Sequence, residues 1–351
     1  MTLEEVISGI SQTDPAALQR ALQRWDGLAK PLGSLGSLER SIAKLAALTG
    51  QEHPRLENAT LLVFCADNGV TAQGVSQSDA SVTAAVAAAL GAGTSTVSYM
   101  AREARCRVVP VNIGMAAPEP LPGVRQCCIR RGTGDISCAP AMTREECEAA
   151  ILCAFELVRE EAEKGTEILL LGEMGIGNTT TSAAVACALL KAAPELLAGR
   201  GAGLSDAGFE KKKAAIRAAL ALHRPEASDP VGILSGVGGL DLAGLCGACL
   251  GGAYFRIPVL LDGVIASAAA LCAVRLCPAC ADALLASHVS EEPAGELLLR
   301  EMHLEAPIRA GLRLGEGTGA MLCLPLLRQT LAVYNSGHTF SHLGIDAYLP
   351  Q

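Results

Sequence analysis

The sequence predicts an α/β fold: a parallel sheet flanked by helices, with a smaller helical lobe. Three observations carry this. From residue 59 onward, short apolar runs alternate with longer alanine-rich stretches, the rhythm of strands joined by helical crossovers. Half of the 351 residues are apolar but only 3% are aromatic, and 37 are glycine, a mixture that suits helices packed closely on a sheet. Glycine-rich turns follow the apolar runs directly, as they do where strands end at a ligand crevice.

In chain order, residues 1–50 read as helices. Thr2 and Glu5 form the pattern of a capping box, and PLGSLG at 31–36 makes a loop before an amphipathic segment at 38–46. Strands are expected at 60–64, 107–111, 168–171 and 257–261, each an aliphatic run too short for a helix. Helices are expected near 79–104, 143–163, 178–192, 206–222 and 240–251, so the strands are joined by crossovers and run parallel. After residue 263 helices dominate again, and the two helical ends are expected to meet. The expected division is 1–58 for the N-terminal part of a small domain, 59–290 for the large domain, and 291–351 for the segment that completes the small one.

A net charge of −8 with no basic stripe argues against nucleic acid as a partner. The N-terminus is acidic and resembles no signal peptide, and the apolar runs at 231–253 and 257–274 are broken by Asp241 and Asp262. The protein is therefore expected in the cytoplasm, away from membranes. Most of the 14 cysteines lie singly in alanine-rich segments and read as small apolar fillers in a reducing compartment. Cys246 and Cys249 with Cys277 and Cys280 have two CxxC spacings, but the gap between them exceeds a zinc knuckle, so packing is the simpler reading. His338 and His342 have a helical i, i+4 spacing without the adjacent glutamate of a zinc hydrolase, and read as surface or packing residues.

Two glutamates lie within glycine-rich runs: Glu173 in GEMGIGNTTT at 172–181 and Glu316 in LRLGEGTGA at 312–320. Glycines let backbone approach a ligand closely, so acids among them are placed to face one. The first run links an expected strand to an expected helix, an arrangement whose free N–H groups and dipole favour an anion. Asp67, Glu173 and Asp262 each end an expected strand and would converge in the crevice there. Asp262 also precedes a helix that it could simply cap.

Seven motifs in order carry a family resemblance: KPLGSLGSLE at 30–39, ADNGV at 66–70 with GVS at 74–76, GEMGIGNTT at 172–180, GRGAGL at 199–204, LDGVI at 261–265, SHVS at 287–290 with Glu292 and Pro293, and RLGEGTGA at 313–320. The chain resembles the nicotinate-nucleotide:dimethylbenzimidazole phosphoribosyltransferase (CobT-like) family from about residue 25 to 330. The resemblance implies a large Rossmann-like domain, a small domain from both chain ends, and a homodimer. It implies transfer of phosphoribose from nicotinate mononucleotide to a ring nitrogen of 5,6-dimethylbenzimidazole, giving α-ribazole phosphate for the nucleotide loop of cobamides. Glu316 falls at the family's general base, and Glu173, Lys212, Asp262 and Ser290 at the nucleotide and phosphate site. Ser76, Gly175, Gly177, Asn178 and Thr179 are further substrate-binding positions, as are Gly201, Gly203, Leu314, Gly315 and Gly317.

Chemistry agrees with those roles. A pyridinium attached to ribose leaves as a neutral ring and needs no acid, whereas the attacking azole must lose its N–H proton to a base such as Glu316. Glu173 would stabilise positive charge developing on the ribose. Lys212 and the turn at 175–181 would hold the phosphate, and no metal or cofactor is required.

Some positions depart from the family pattern. Asn68 stands where a histidine is usual, Ala202 where a threonine is, and Ser205 where an aspartate is; Ala294 and Gly295 replace a Gly-His pair. The segment 82–90 is alanine-rich where relatives often place an amide facing the base. A related azole or a phenol is thus an alternative acceptor, and an alternative function is a weakly active subunit of a heterodimeric phenol-activating relative. A nicotinamide-dependent dehydrogenase lacks support, because no G-x-G-x-x-G follows the first expected strand.

Overall fold

The computed structural model describes residues 1–117 and 119–348. Its sheet has six strands: β1 (Ala59–Ala66), β2 (Cys106–Gly114), β3 (Arg125–Gln126), β4 (Ile168–Met174), β5 (Val259–Leu261) and β6 (Leu284–Ala286). They lie in the order β3-β2-β1-β4-β5-β6, and every pairing is parallel. The α/β class expected from the alternating pattern is thus the class observed.

Period-two alternation divides the core in two. Leu62 and Phe64 of β1 with Leu169 and Leu171 of β4 face one layer, while Leu61, Val63, Ile168 and Leu170 face the other. The first layer is covered by Arg144–Glu163, Asn178–Leu190, Leu240–Phe255 and Val264–Leu276. Gly247 marks how tightly it packs: a Cβ there would collide with the carbonyl of Ile151 on the facing helix. Helices from both ends of the chain, Pro15–Gly27, Ser37–Thr49 and Thr318–Tyr334, cover the second layer. The rings of Trp25 and Tyr334 pack at a tilt of 58° with centroids 5.0 Å apart, and Trp25 Nε1 donates to the Glu39 carbonyl at 3.0 Å.

Several expectations need correction. The single helix expected near 79–104 is two, Ser81–Gly91 and Thr96–Glu103. Gly93 takes a left-handed φ of +71° between them, and Ser95 caps the second by accepting from Ser98 N. The apolar stretch Ser81–Glu103 has the length and composition of a membrane span, but neither helix alone approaches the ~20 residues needed. β3 and β6 were not expected, nor was the helix Pro230–Val237. His338 lies outside the helix Phe340–Leu343 that holds His342, so the i, i+4 geometry is not formed; both imidazoles are exposed. Cys246, Cys249, Cys277 and Cys280 are buried free thiols, and Cys280 Sγ donates to the Cys249 carbonyl. The last three residues of the expected 291–351 segment lie outside the described residues.

Candidate active site

The carboxyl ends of β4 and β5, with the chain just after β6, open onto a cavity of about 260 Å³. Its floor is formed where the two glycine runs meet. Gly172 has no side chain because a Cβ there would lie 2.6 Å from Glu316 C and from Gly317 N. Glu316 N donates to the Glu173 carbonyl at 3.2 Å, fixing one run on the other. Gly315 likewise has no room for a Cβ, which would sit 2.6 Å from Glu173 Oε1. This contact places two glutamates 143 positions apart in sequence on one wall.

Glu316 has φ +60°, between Gly315 at +91° and Gly317 at +85°. A side-chain-bearing residue in that region is strained, and such strain concentrates at functional positions. Its carboxyl is half-buried, and Oε2 is buried without a hydrogen-bond partner. Burial pushes the Glu316 carboxyl above its ordinary range against the opposing N–H of Val97, while negative Asp262 pushes it further up. Such a group readily takes a proton from a ligand.

Glu173 is buried beside it. Asn178 Nδ2 donates to its Oε2. Burial raises Glu173 from 4.5 to about 8, and the nearby acids Asp241 and Asp262 add to the rise. Asp241 is fully buried at the start of Leu240–Phe255, and burial lifts it to about 6, with the Leu242 N–H and the amides of Asn178 and Asn68 opposing the rise. Sequence reasoning treated Asp241 only as a charge interrupting an apolar run. The signal available was its position two residues after the Gly238-Gly239 pair, a turn where a Cβ on Gly239 would meet both Asp241 and Asn68.

The turn after β4 behaves as its glycines suggest. Gly177, with φ +95°, is the N-cap of Asn178–Leu190 and gives that helix no side-chain cap. Thr83 Oγ1 accepts from Ile176 N at 3.2 Å and holds the turn from the neighbouring helix. Gly175, Gly177, Asn178 and Thr179 all reach the cavity wall, as do Ser76, Gly201 and Ser290. Leu314, Gly315, Glu316, Glu173 and Asp262 complete the expected residues found there.

Three expected residues, Lys212, Gly203 and Gly317, are not part of that wall. Lys212 is fully buried, and its Nζ donates to Thr179 Oγ1 at 2.9 Å. Burial lowers it to about 8, with Glu292 opposing. Gly203 offers its carbonyl to Gln77 Nε2, and Gly317 packs on Leu61 of β1. Asp67 also departs from the expected convergence of three acids: its Oδ2 accepts from Ala116 N at 2.8 Å, away from the cavity. Asp262 does not cap the helix that follows it, whose N-cap is Gly263. Its oxygens accept instead from Gly317, Gly319 and Ala320. His288 and Glu292 line the cavity as well and were named only within motifs; Glu292 Oε1 accepts from Gly201 N at 2.8 Å. Among the described residues, no group of three or more His, Cys, Asp or Glu is disposed to hold a metal ion.

The sequence matches the phosphoribosyltransferase family over residues 10–345. The chain is 40% identical over 350 residues to a nicotinate-nucleotide–dimethylbenzimidazole phosphoribosyltransferase of Ruminiclostridium cellulolyticum, covering 100% of this chain and 99% of that one. It is 44% identical over 336 residues to the enzyme of the same name from Pseudomonas aeruginosa, covering 95% and 96%. The crystal structure of CobT from Thermus thermophilus superposes with a TM-score of 0.90 at 36% identity, covering 95% of this chain and all of that one. The chain belongs to the nicotinate-nucleotide–dimethylbenzimidazole phosphoribosyltransferase family.

Proposed function

We propose that the chain transfers phosphoribose from nicotinate mononucleotide to a ring nitrogen of 5,6-dimethylbenzimidazole, releasing nicotinate and forming the α-ribotide used in cobamide assembly. The observation that carries this reading is Glu316: a carboxyl on the cavity wall whose buried Oε2 has no partner in the protein. The azole N–H donates to Glu316, which takes its proton as the ring nitrogen attacks C1′ of the ribose. The bond between C1′ and the pyridinium nitrogen breaks, and its electron pair leaves with nicotinate. Inversion at C1′ converts the β-nucleotide to an α-ribotide.

Glu173 supports the donor. Burial and its acidic neighbours raise its pKa and favour the protonated form, and a pyridinium brought alongside favours the ionised one. The carboxylate then faces the positive charge that grows on the ribose. The phosphate lies at the turn 175–179 and Gly201, with the Lys212 charge one layer behind Thr179. Val86, Ile176 and Leu314 give the base an apolar wall.

The alternative of a weakly active subunit has no observation in its favour, since both glutamates stand at the cavity. We read the assembly as a homodimer in the cytoplasm, with the terminal helices forming a small domain. In support of the dimer, seven of the eleven residues of Ser81–Gly91 are alanine or valine, yet Ala85 is exposed and Val82, Ala84, Ala88 and Ala89 are only half-buried. The test of function is azole-dependent release of nicotinate from nicotinate mononucleotide by the purified chain alone. Release that is the same with and without the azole would contradict transfer.

A further inference from the structure

Asp262 stands at the end of β5 beside the cavity, yet both of its carboxylate oxygens are engaged by the protein. Oδ2 accepts from Gly317 N at 3.0 Å, and Oδ1 accepts from Gly319 N at 2.7 Å and Ala320 N at 3.2 Å. These donors belong to the first turn of Thr318–Tyr334, whose N-cap, Gly317, has no side chain to cap it. A helix start leaves its first N–H groups unsatisfied, and a buried carboxylate is a strong partner for them. One acid, distant in sequence, therefore satisfies three of these donors.

Neighbouring contacts leave Asp262 little freedom. His288 Nδ1 lies 3.9 Å from Asp262 Oδ1 and 3.0 Å from Ser287 Oγ. Gly319 packs so closely that a Cβ there would collide with the His288 ring and lie 2.9 Å from Asp262 Oδ1. The first clamped N–H belongs to Gly317, so the clamp begins one residue after Glu316. Glu316 is the only residue with a side chain in a run of three left-handed residues.

We propose that Asp262 is a positioning residue, which clamps the backbone of 317–320 so that Glu316 keeps its left-handed conformation and its carboxyl on the cavity wall. The proposal rests on the reading of Glu316 as the base. Asp262 acts on the reaction through that loop, and loosening the loop lowers turnover more than nucleotide affinity.

The test compares wild type, Asp262→Asn, Asp262→Ala and Glu316→Gln in steady-state transfer and in calorimetric binding of nicotinate mononucleotide. Displacing a catalytic group by about 1 Å costs about a hundredfold in rate. The expected result is a plateau kcat lower by about ten- to a hundredfold in both Asp262 variants, with nucleotide Kd changed by less than about threefold. The pH profile separates positioning from simple electrostatics. The charged groups facing Glu316 are Glu173 from β4 and Asp262 after β5, with His288 behind Asp262 and the Val97 N–H opposite. Loss of the Asp262 charge alone moves the acid limb to lower pH and leaves the plateau intact; loss of positioning also lowers the plateau. Plateau kcat within about threefold of wild type in a folded Asp262 variant overturns the proposal. If Glu316→Gln retains wild-type turnover, the base assignment itself fails; if that variant is inactive while the Asp262 variants are normal, only the positioning role fails. Should neither Asp262 variant fold, amide exchange in the wild type decides: protection of the 317, 319 and 320 amides by at least about a hundredfold supports the clamp, and rapid exchange overturns it.

Discussion

Replacing Glu173 by glutamine should change how stability depends on pH. In the folded protein, burial and the neighbouring acids move this carboxyl from 4.5 to about 8. Below about pH 4.5 both folded and unfolded chains hold the proton at this site; between 4.5 and 8 the folded chain binds more protons, so stability falls as pH rises. At about 1.4 kcal/mol per pH unit, the loss reaches a few kcal/mol by pH 9. Glutamine keeps the shape and can still accept from Asn178 Nδ2, but it has no charge to bury. The variant should come close to wild type at pH 5 and exceed it at pH 9 by about 8 °C in Tm, taking about 2 °C per kcal/mol for a chain of this size. Calorimetric melting of both proteins at pH 5, 7 and 9 measures this. A second readout is proton release: nicotinate mononucleotide binding at pH 7 should release protons from wild type and fewer from the variant, seen as a buffer-dependent enthalpy. Parallel Tm curves with equal proton release would refute the reasoning.

Two further predictions concern the substrates. Lys212→Ala should weaken nicotinate mononucleotide binding by about 10- to 100-fold, the range for losing a charged hydrogen bond, and leave azole binding nearly unchanged; equal effects in titration calorimetry would place the phosphate elsewhere. Because Val86, Ile176 and Leu314 present an apolar wall, benzimidazoles differing by one methyl group should differ by only about 1–3 kcal/mol in kcat/KM. Competition between paired bases reads this directly, with p-cresol testing whether an O–H can replace the azole N–H. Exclusive use of 5,6-dimethylbenzimidazole would show that polar contacts govern the choice.

What was legible in the sequence follows from physical range. β1 and β4 could be read because buried parallel strands are continuous aliphatic runs, and their glycine turns mark where the backbone must approach something closely. Glu173 and Glu316 drew attention by the same signal. β6, only Leu284–Ala286, carries too little pattern to distinguish it from the helices around it. The break at Gly93 was written in a glycine followed by a serine cap, but the alanine-rich flanks obscured it. Asp262 shows a different limit. Its nearest helix start is its own, and only the tertiary fold brings the start of Thr318–Tyr334 within its reach. Lys212 looked like a direct phosphate ligand by motif position, yet it donates to Thr179 from behind the wall. Sequence spacing carries no information about which layer a side chain occupies.

The central claim is that Glu316 is the base, and a single-turnover experiment on Glu316→Gln tests it most directly. The variant is first saturated with nicotinate mononucleotide and then mixed with 5,6-dimethylbenzimidazole, and α-ribotide is followed against wild type. The account predicts unchanged nucleotide affinity and a rate lower by at least about a hundredfold, within the ~10²–10⁴ that general-base catalysis supplies. A rate within about tenfold of wild type, at equal saturation, would contradict it.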